Sequence, residues 1–179
     1  MKKPLPSTEV LRSAFNYDPD TGVATWNAKF GNAHWNTKFA GKVVGSLSPR
    51  GYLRTQIDGV EYQLHRLIWK HYYGSDPLDE IDHCNQIKVD NRIENLREAT
   101  RSQNAANRPV KKRDGSNVRG ATYHAGKWQS YCTINGHNTY LGRFSTPEEA
   151  HKAYVEAVQS SFKEFAYTGD VTNQNGSMV

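Results

Sequence analysis

The chain has 179 residues, of which 36% are hydrophobic, and its formal net charge is +5 at pH 7. Its mean hydropathy of −0.81 allows only a thin core, so the composition favours small modules over one large domain. No apolar run reaches membrane-spanning length and the N-terminus lacks a signal-peptide core, so we expect a cytoplasmic protein with no membrane partner. The basic charge suits a polyanionic partner.

The two cysteines, Cys84 and Cys132, lie far apart in the chain and in no Cys-x-x-Cys pair. Structural zinc sites need closely spaced pairs of ligands, and disulfide frameworks need several cysteines. The sequence therefore predicts neither a disulfide framework nor structural zinc.

The first part of the chain alternates turn residues with short apolar runs. A helix is predicted over residues 7–16, with Ser or Thr at its start, and a hairpin turn is predicted at residues 18–22. From Gly41 onward the pattern is typical of strands, with Asp58-Gly59 as a two-residue hairpin turn. A helix from Arg66 to Tyr73 should follow.

The stretch from residue 80 to residue 108 carries the chemistry. Its Asp82-His83 pair precedes a polar loop, and Asn95 follows that loop. Histidine can take a proton from water near neutral pH, and Asp and Asn oxygens suit a hard cation. Neighbouring side chains on a strand point to opposite faces, so Asp82 and His83 can serve one site only where the strand twists or ends. This set of residues is what phosphodiester hydrolysis requires.

A second helix is predicted directly after this stretch. Thr100-Arg101-Ser102-Gln103 has the pattern of a capping box, and the helix that it opens carries Asn104. Pro109 should end the helix near Arg108.

In their order and spacing, Asp82-His83, Asn95 and Asn104 resemble the HNH endonucleases of phage type, which have a ββα-metal core. The resemblance extends upstream through residues 64–69 and downstream to Arg108. It implies that His83 and Asn95 are catalytic residues, with His83 as the general base. It also implies that Asp82 and Asn104 hold one Mg²⁺ or Mn²⁺ ion. Gln86 stands where that branch usually has Gly, so the loop turn should differ.

Each of these assignments has a plainer alternative. Asp82 and His83 are also compatible with a surface turn pair. Asn95 either ligates directly or bonds the loop backbone through its amide, and we favour the second role. His65 either contacts a phosphate or is a structural histidine, and here too we favour the structural role. Arg66 and Arg97 are candidates for contacts to DNA phosphates.

Residues 109–118 have the composition of a basic linker. With the preceding arginine, the linker region offers four cations for a phosphate backbone: Arg108, Lys111, Lys112 and Arg113. A linker that is only solvated fits the composition equally well.

The segment 119–165 is predicted to be a three-stranded antiparallel sheet packed on one helix. Thr146-Pro147-Glu148-Glu149 should open that helix, and Ala150, Ala153, Tyr154 and Ala157 should form its buried face. Residues 166–179 have the composition of a loose tail.

This segment resembles the plant ethylene-responsive-factor type of DNA-binding domain, through motifs such as Gly126-Lys127-Trp128 and residues 140–144. The resemblance implies that the sheet enters the major groove of double-stranded DNA. The candidate contacts are Arg119, Lys127, Trp128, Tyr140 and Arg143. Several arginines of the plant family are missing here, so the base preference should differ. Trp128 is equally compatible with a core position.

Together these observations predict an α+β protein with a β-rich N-terminal region and a nuclease core in residues 1–108, the core covering about 62–108. The predicted activity is metal-dependent cleavage of double-stranded DNA, of phage or mobile-element homing type, in the cytoplasm of a bacterial host. The sequence does not decide between a monomer and a weak dimer. The alternative is a non-catalytic DNA-binding regulator that keeps the nuclease scaffold.

Overall fold

The computed structural model describes residues 4–28, 30–107, 119–134 and 136–166. These residues form a mixed α+β structure whose sheets are all small and antiparallel. The chain divides into two compact units, Met1–Ala99 and Thr100–Val179. In the part of the chain that the structure describes, no helix is long and apolar enough to cross a membrane.

The first unit combines three helices with short strands. Its elements are α1 (Thr8–Ala14), β1 (Phe15–Tyr17), β2 (Ala24–Trp26), α2 (Ala33–Phe39), β3 (Ser46–Leu47), β4 (Leu53–Ile57), β5 (Val60–Gln63), α3 (Leu64–Tyr73), β6 (Glu80–His83), a 3₁₀ turn (Ile93–Asn95) and β7 (Leu96–Ala99). The pairs β1–β2 and β6–β7 form two-stranded sheets, and β3, β4 and β5 form a three-stranded one. The buried core includes Leu11, Phe15, Leu64 and Ile68.

Capping and turn residues that are visible in the sequence set the ends of several of these elements. The Ser7 side chain accepts a hydrogen bond from the Val10 amide and so caps α1, as predicted. Asp58 and Gly59 have φ of 51° and 74°, the left-handed geometry of a two-residue hairpin turn. Helix α3 ends before Gly74, as expected from its sequence, because this residue takes the left-handed conformation with φ 79°.

The second unit consists of α4 (Arg101–Ala106), β8 (Ala121–His124), β9 (Lys127–Ile134), β10 (His137–Phe144), α5 (Pro147–Phe162) and a 3₁₀ turn (Lys163–Phe165). The sheet has the order β10-β9-β8, and α5 packs on all three strands. Both predicted capping boxes are present, Thr100 with Gln103 on α4 and Thr146 with Glu149 on α5.

Two features of this unit differ from the sequence prediction. Helix α4 packs against α5 and the last 3₁₀ turn, so the compact units divide before Thr100 rather than at the linker. The buried face of α5 is formed by Ala150, Tyr154, Val158 and Phe162, while Ala153 and Ala157 are only partly buried. The larger side chains take the core positions because they bury more apolar area.

Candidate active site

Asp82 and His83 lie where β6 ends. The sheet register pairs Asp82 with Arg97 and His83 with Leu96 on β7. Both side chains are buried, with exposed fractions of 6% and 4%. After His83 the backbone turns away from the sheet, and the Gln86 amide donates to the His83 carbonyl at 2.9 Å. A strand end is the place at which two adjacent side chains can serve one site.

The loop after β6 is held by Asn95. The Oδ1 atom of this buried side chain accepts the Asn85 amide at 2.9 Å, and its Nδ2 atom donates to the Asp90 carbonyl at 2.7 Å. Both ends of the amide are therefore used on loop backbone. This is the arrangement that the sequence favours for Asn95.

The His83 ring is oriented by Asn91. Nε2 of His83 lies 3.1 Å from Oδ1 of Asn91, whose side chain is also buried. An amide oxygen can only accept, so Nε2 carries the hydrogen, and in the neutral ring the lone pair is then on Nδ1. Burial lowers the pKa of His83, while the hydrogen bond to Asn91 and the charge of Asp82 oppose part of that shift. The ring is thus a neutral base near pH 7.

A second histidine stands against the first. The His65 and His83 rings are 5.1 Å apart in an edge-to-face arrangement, and Tyr52 lies 5.9 Å from His83. Burial lowers the pKa of His65 to about 3, with the neighbouring His83 and Arg66 adding to the shift. Neutral His65 therefore packs beside His83 within the protein core, as the structural interpretation expects.

Asp82 is paired with Arg97 across the two strands. Nε and Nη2 of Arg97 donate to Oδ2 of Asp82 at 3.0 and 2.9 Å. The pair follows from the register, because directly opposite residues on an antiparallel sheet share a face. Arg97, expected from the sequence to contact DNA, is thus in the first place the counter-ion of the buried carboxylate.

The N-terminal hairpin braces the loop that carries Asn91. The Tyr17 hydroxyl donates to the Asn91 carbonyl at 2.8 Å, and the Ile93 amide donates to Pro19 at 3.1 Å. Gly22 has φ +74°, and a Cβ there would lie 2.5 Å from the Arg92 backbone nitrogen. Only glycine allows this close approach. The N-terminal region, whose role was not legible in the sequence, supports the candidate site.

The same loop contains an ion-pair network around Asp90. The Arg92 guanidinium donates to both Asp90 oxygens, at 2.9 Å from Nε and 2.8 Å from Nη2, and Asn85 adds a third side-chain bond at 2.7 Å. Arg92 above all lowers the pKa of Asp90 to about 2. The loop conformation is therefore tied to a charged Asp90.

The predicted metal ligands are both hard oxygen donors. Among the described residues, no group of three or more His, Cys, Asp and Glu side chains could hold a metal ion. The predicted set differs in kind, because it joins one carboxylate, Asp82, to the amide of Asn104. Such oxygens suit Mg²⁺ and Mn²⁺. Asn104 lies on α4, in the second unit, while Asp82, His83 and Asn95 lie in the first.

Two cations of the first unit flank this region. Nη1 of Arg66, a candidate for DNA contact, donates to the Asp79 carbonyl at 3.0 Å. Lys88, which the sequence analysis did not single out, donates to the Arg50 carbonyl at 3.0 Å and stands over the Tyr52 ring at 4.8 Å. Its place in the loop was visible in the sequence, but its proximity to Tyr52 was not.

In the second unit, part of the predicted DNA-contact set lies on the sheet face away from α5. We call this the outer sheet face, and it comprises Lys127, Gln129, Tyr131, Tyr140 and Arg143. The register joins Tyr140 to Tyr131 and Arg143 to Gln129, so these side chains share one side. Tyr131 and Tyr140 are 38% and 51% exposed, with ring centres 5.1 Å apart.

Trp128 and Arg119 are placed differently. Trp128 alternates with the buried Ser130 and pairs with Phe144 and Tyr123, so it lies on the side of the sheet that packs on α5, where it is partly buried. The Arg119 guanidinium donates to backbone carbonyls at the end of α4. The linker candidates lie outside the described residues: Arg108, Lys111, Lys112 and Arg113.

The residue that sequence reasoning missed is Asn91. It stands in the run Asp90-Asn91-Arg92, inside the motif that carries the resemblance. The position of Asn91 within the motif was therefore visible in the sequence. An Asn in a polar loop, however, does not indicate which side chain it contacts. The contact with His83 depends on how the loop folds back over eight residues.

Comparison with known proteins identifies one part of the chain. Residues 62–106 match the model of a family described as HNH endonuclease. The matched segment runs from β5 to the end of α4 and contains Asp82, His83, Asn95 and Asn104. It supports an HNH nuclease domain at these residues. Searches of curated proteins and of solved structures gave no match.

Proposed function

We propose that the protein is a metal-dependent DNA endonuclease, on the premise that residues 62–106 form an HNH endonuclease domain. The observation that carries the proposal is the buried His83 ring, held by Asn91 through Nε2 and adjacent to the Asp82 carboxylate. An oriented neutral imidazole beside a carboxylate can activate a water molecule for attack on a phosphodiester.

In the proposed reaction, Nδ1 of His83 takes a proton from water while the water oxygen attacks phosphorus. The bond between phosphorus and the 3′ oxygen breaks, and the 3′ oxygen leaves with the bonding pair. The imidazole becomes positively charged in this step. The Asn91 oxygen stabilises that charge through Nε2–H and keeps the ring in the tautomer that can accept. The leaving 3′ oxygen takes a proton from solvent, and His83 returns to solvent the proton that it accepted.

Asp82 and Asn104 would hold one Mg²⁺ or Mn²⁺ ion. A bound divalent ion supplies positive charge against the phosphate oxygens and the leaving oxygen. Arg97 shares the Asp82 carboxylate and limits the excess negative charge there in the free protein. Asn95 keeps the loop that carries Asn91 in place.

The outer sheet face is the proposed DNA-binding surface of the second unit. It combines the cations Lys127 and Arg143 with the exposed rings of Tyr131 and Tyr140. Cations fix a phosphate backbone, and the sheet offers side chains that can read a groove. Arg66 and the basic linker would add phosphate contacts. The resemblance to phage-type nucleases makes a homing role in a phage or mobile element the proposed biological setting.

A second candidate function is DNA binding without cleavage. The observation that favours it is the Asp82–Arg97 ion pair, because the buried carboxylate proposed as a metal ligand already has a partly buried cationic partner. In that case the nuclease scaffold would serve as a binding platform.

Cleavage of supercoiled plasmid separates the two functions. The protein should nick or linearise the plasmid with Mg²⁺ or Mn²⁺ and not with EDTA. His83→Ala should lower the cleavage rate by about 10²–10⁴, the range for a general base, with DNA affinity nearly unchanged. His34→Ala, on an exposed helix position, is the matched control and should cut at the wild-type rate.

If the wild-type protein binds DNA but does not cut it with Mg²⁺ or Mn²⁺, the second function, DNA binding without cleavage, is established instead. Cutting by His83→Ala at the wild-type rate would remove His83 from the mechanism.

A further inference from the structure

The helix that carries Asn104 is packed into the C-terminal unit. Helix α4 spans Arg101–Ala106 and packs against α5 and the Lys163–Phe165 turn. An isolated helix of this length is not stable in water, because nucleation is unfavourable and few hydrogen bonds follow it. Its conformation therefore depends on its cap and on what it packs against.

Arg119 binds the C-terminal end of this helix. Nη1 donates to the Ala106 carbonyl at 2.8 Å, and Nη2 donates to the Ala105 carbonyl at 2.7 Å. The last carbonyls of a helix lack the amide donors of a following turn, and the helix dipole places partial negative charge there. A guanidinium supplies both the missing hydrogen-bond donors and a positive charge, and two of its donors are fixed side by side.

Arg119 is itself held in place by two residues of α5. Its guanidinium stands over the Tyr154 ring at 5.4 Å, and its carbonyl accepts a hydrogen bond from His151 Nδ1 at 2.8 Å. The next residue, Gly120, has φ +78°, and a Cβ there would lie 2.3 Å from Tyr154. Only glycine lets the backbone pass so close to that ring. These contacts fix the position of Arg119 within the unit.

These contacts place Arg119 at the end of the helix that carries Asn104. Asn104 lies directly before the two carbonyls that Arg119 holds, so the guanidinium fixes the last turn of the helix from which Asn104 projects. We propose that Arg119 is a positioning residue for Asn104, and that the C-terminal module thereby contributes to metal affinity as well as to DNA affinity. This inference rests on the proposed function, in which Asn104 is a metal ligand.

The test uses the full-length protein and four variants. Arg119→Leu removes both hydrogen bonds, Arg119→Lys keeps the charge without the paired donors, and Asn104→Ala removes the proposed ligand. Lys152→Leu removes a positive charge from an exposed site on α5 and is the matched control. The readouts are the Mg²⁺ concentration for half-maximal cutting, the DNA Kd in EDTA, and amide hydrogen exchange of residues 101–106.

Arg119→Leu should raise the Mg²⁺ midpoint by about tenfold, as loss of an outer-shell partner does at metal sites, with the DNA Kd nearly unchanged. Asn104→Ala should shift the midpoint in the same direction, Arg119→Lys should shift it less than Arg119→Leu, and Lys152→Leu should not shift it. Amides of α4 should exchange faster in Arg119→Leu while those of β9 stay protected.

A weaker DNA Kd with an unchanged Mg²⁺ midpoint and unchanged α4 exchange would make Arg119 a DNA contact and overturn the proposal. If Arg119→Leu loses protection from amide exchange throughout the unit, the Arg119→Lys variant decides whether Arg119 holds α4. Faster exchange confined to α4 then supports the role, and wild-type exchange refutes it. If the wild type does not cut at all, the proposed function fails, and the exchange of α4 still decides whether Arg119 holds the helix.

Discussion

At the scale of single residues, the candidate site depends on polar pairs in which at least one member is buried. His83 is matched with Asn91, and Asp82 with Arg97. Leaving a buried polar group without its partner costs about 1–3 kcal/mol of folding stability, so each pair fixes the geometry of its members. The chemistry therefore needs the partner residues as much as the residues that meet the substrate.

Replacing Asn91 should reduce cutting without abolishing it. Asn91→Leu keeps the volume but removes the acceptor for Nε2–H of His83. Hydrogen bonds to charged groups contribute about 1.5–3 kcal/mol, so the single-turnover rate should fall by about 10- to 100-fold. Asn91→Asp, which keeps an acceptor oxygen, should retain more of the rate. Thermal melting would show that both variants are folded, and a wild-type rate for a folded Asn91→Leu would contradict the assignment.

The sequence was informative about the members of the site and less so about their partners. Asp82, His83 and Asn95 stand in an ordered motif, so their types and spacing were enough to single them out. The Asp82–Arg97 pair depends on strand register, and the His83–Asn91 contact depends on the path of a loop. Register and loop path are set by the whole core, which a local pattern does not contain.

At the scale of elements, caps and tight turns were predictable and one helix was not. The two capping boxes and the Asp58-Gly59 turn are local, so their residues determine them directly. Helix α2 was missed, because its apolar pattern is limited to one i, i+4 pair, Trp35 and Phe39, which is too short to indicate a helix. It is held by aromatic contacts: the Trp35 ring lies 5.0 Å from Trp26, outside the helix, and 5.1 Å from Phe39, at its end.

The loop after β6 should lose stability in acid through Asp90. Its pKa in the folded protein is lowered to about 2, above all by the hydrogen bond from Arg92, and its ordinary value is 3.8. A lowered folded pKa gives stability that is complete above the unfolded value and is lost as the pH falls through the folded one. The window is therefore from about pH 4 down to about pH 2.

Asp90→Asn is the variant that isolates this effect. It should unfold more easily than the wild type at pH 6, because the charged hydrogen bonds to Arg92 are weakened. The difference in the free energy of unfolding should shrink as the pH falls from about 4 to 2, because wild-type Asp90 is then protonated. Denaturant unfolding at several pH values measures it. A difference that stays constant across the window would show that the Asp90 charge contributes nothing.

At the scale of the whole molecule, the sequence indicated two modules but not which side of the second sheet is available. Alternation placed Trp128 with Ser130 and Cys132, and only the packing of α5 decides which set is covered. The outer sheet face that results carries cations and exposed tyrosines, which makes its electrostatic contribution measurable.

DNA binding should become less dependent on salt when this face loses charge. Each phosphate contact releases counterions, so Lys127→Ala or Arg143→Ala should reduce the log–log slope of affinity against salt by about one unit, and the double variant by about two. Lys152→Ala, on the helix side, should leave the slope unchanged. Titrations between low and moderate salt provide the values, and unaltered slopes in the double variant would exclude the face from the DNA interface.

The packing of α4 with the C-terminal unit also bears on how this chain can be recombined with others. A chimaera that exchanges the C-terminal module would most simply be joined in the basic stretch 109–118. That junction would leave the short helix with a foreign neighbour and without the guanidinium of Arg119. A transplant that moves residues 100–166 as one block, or that brings its own arginine to the same carbonyls, keeps the Asn104 helix intact.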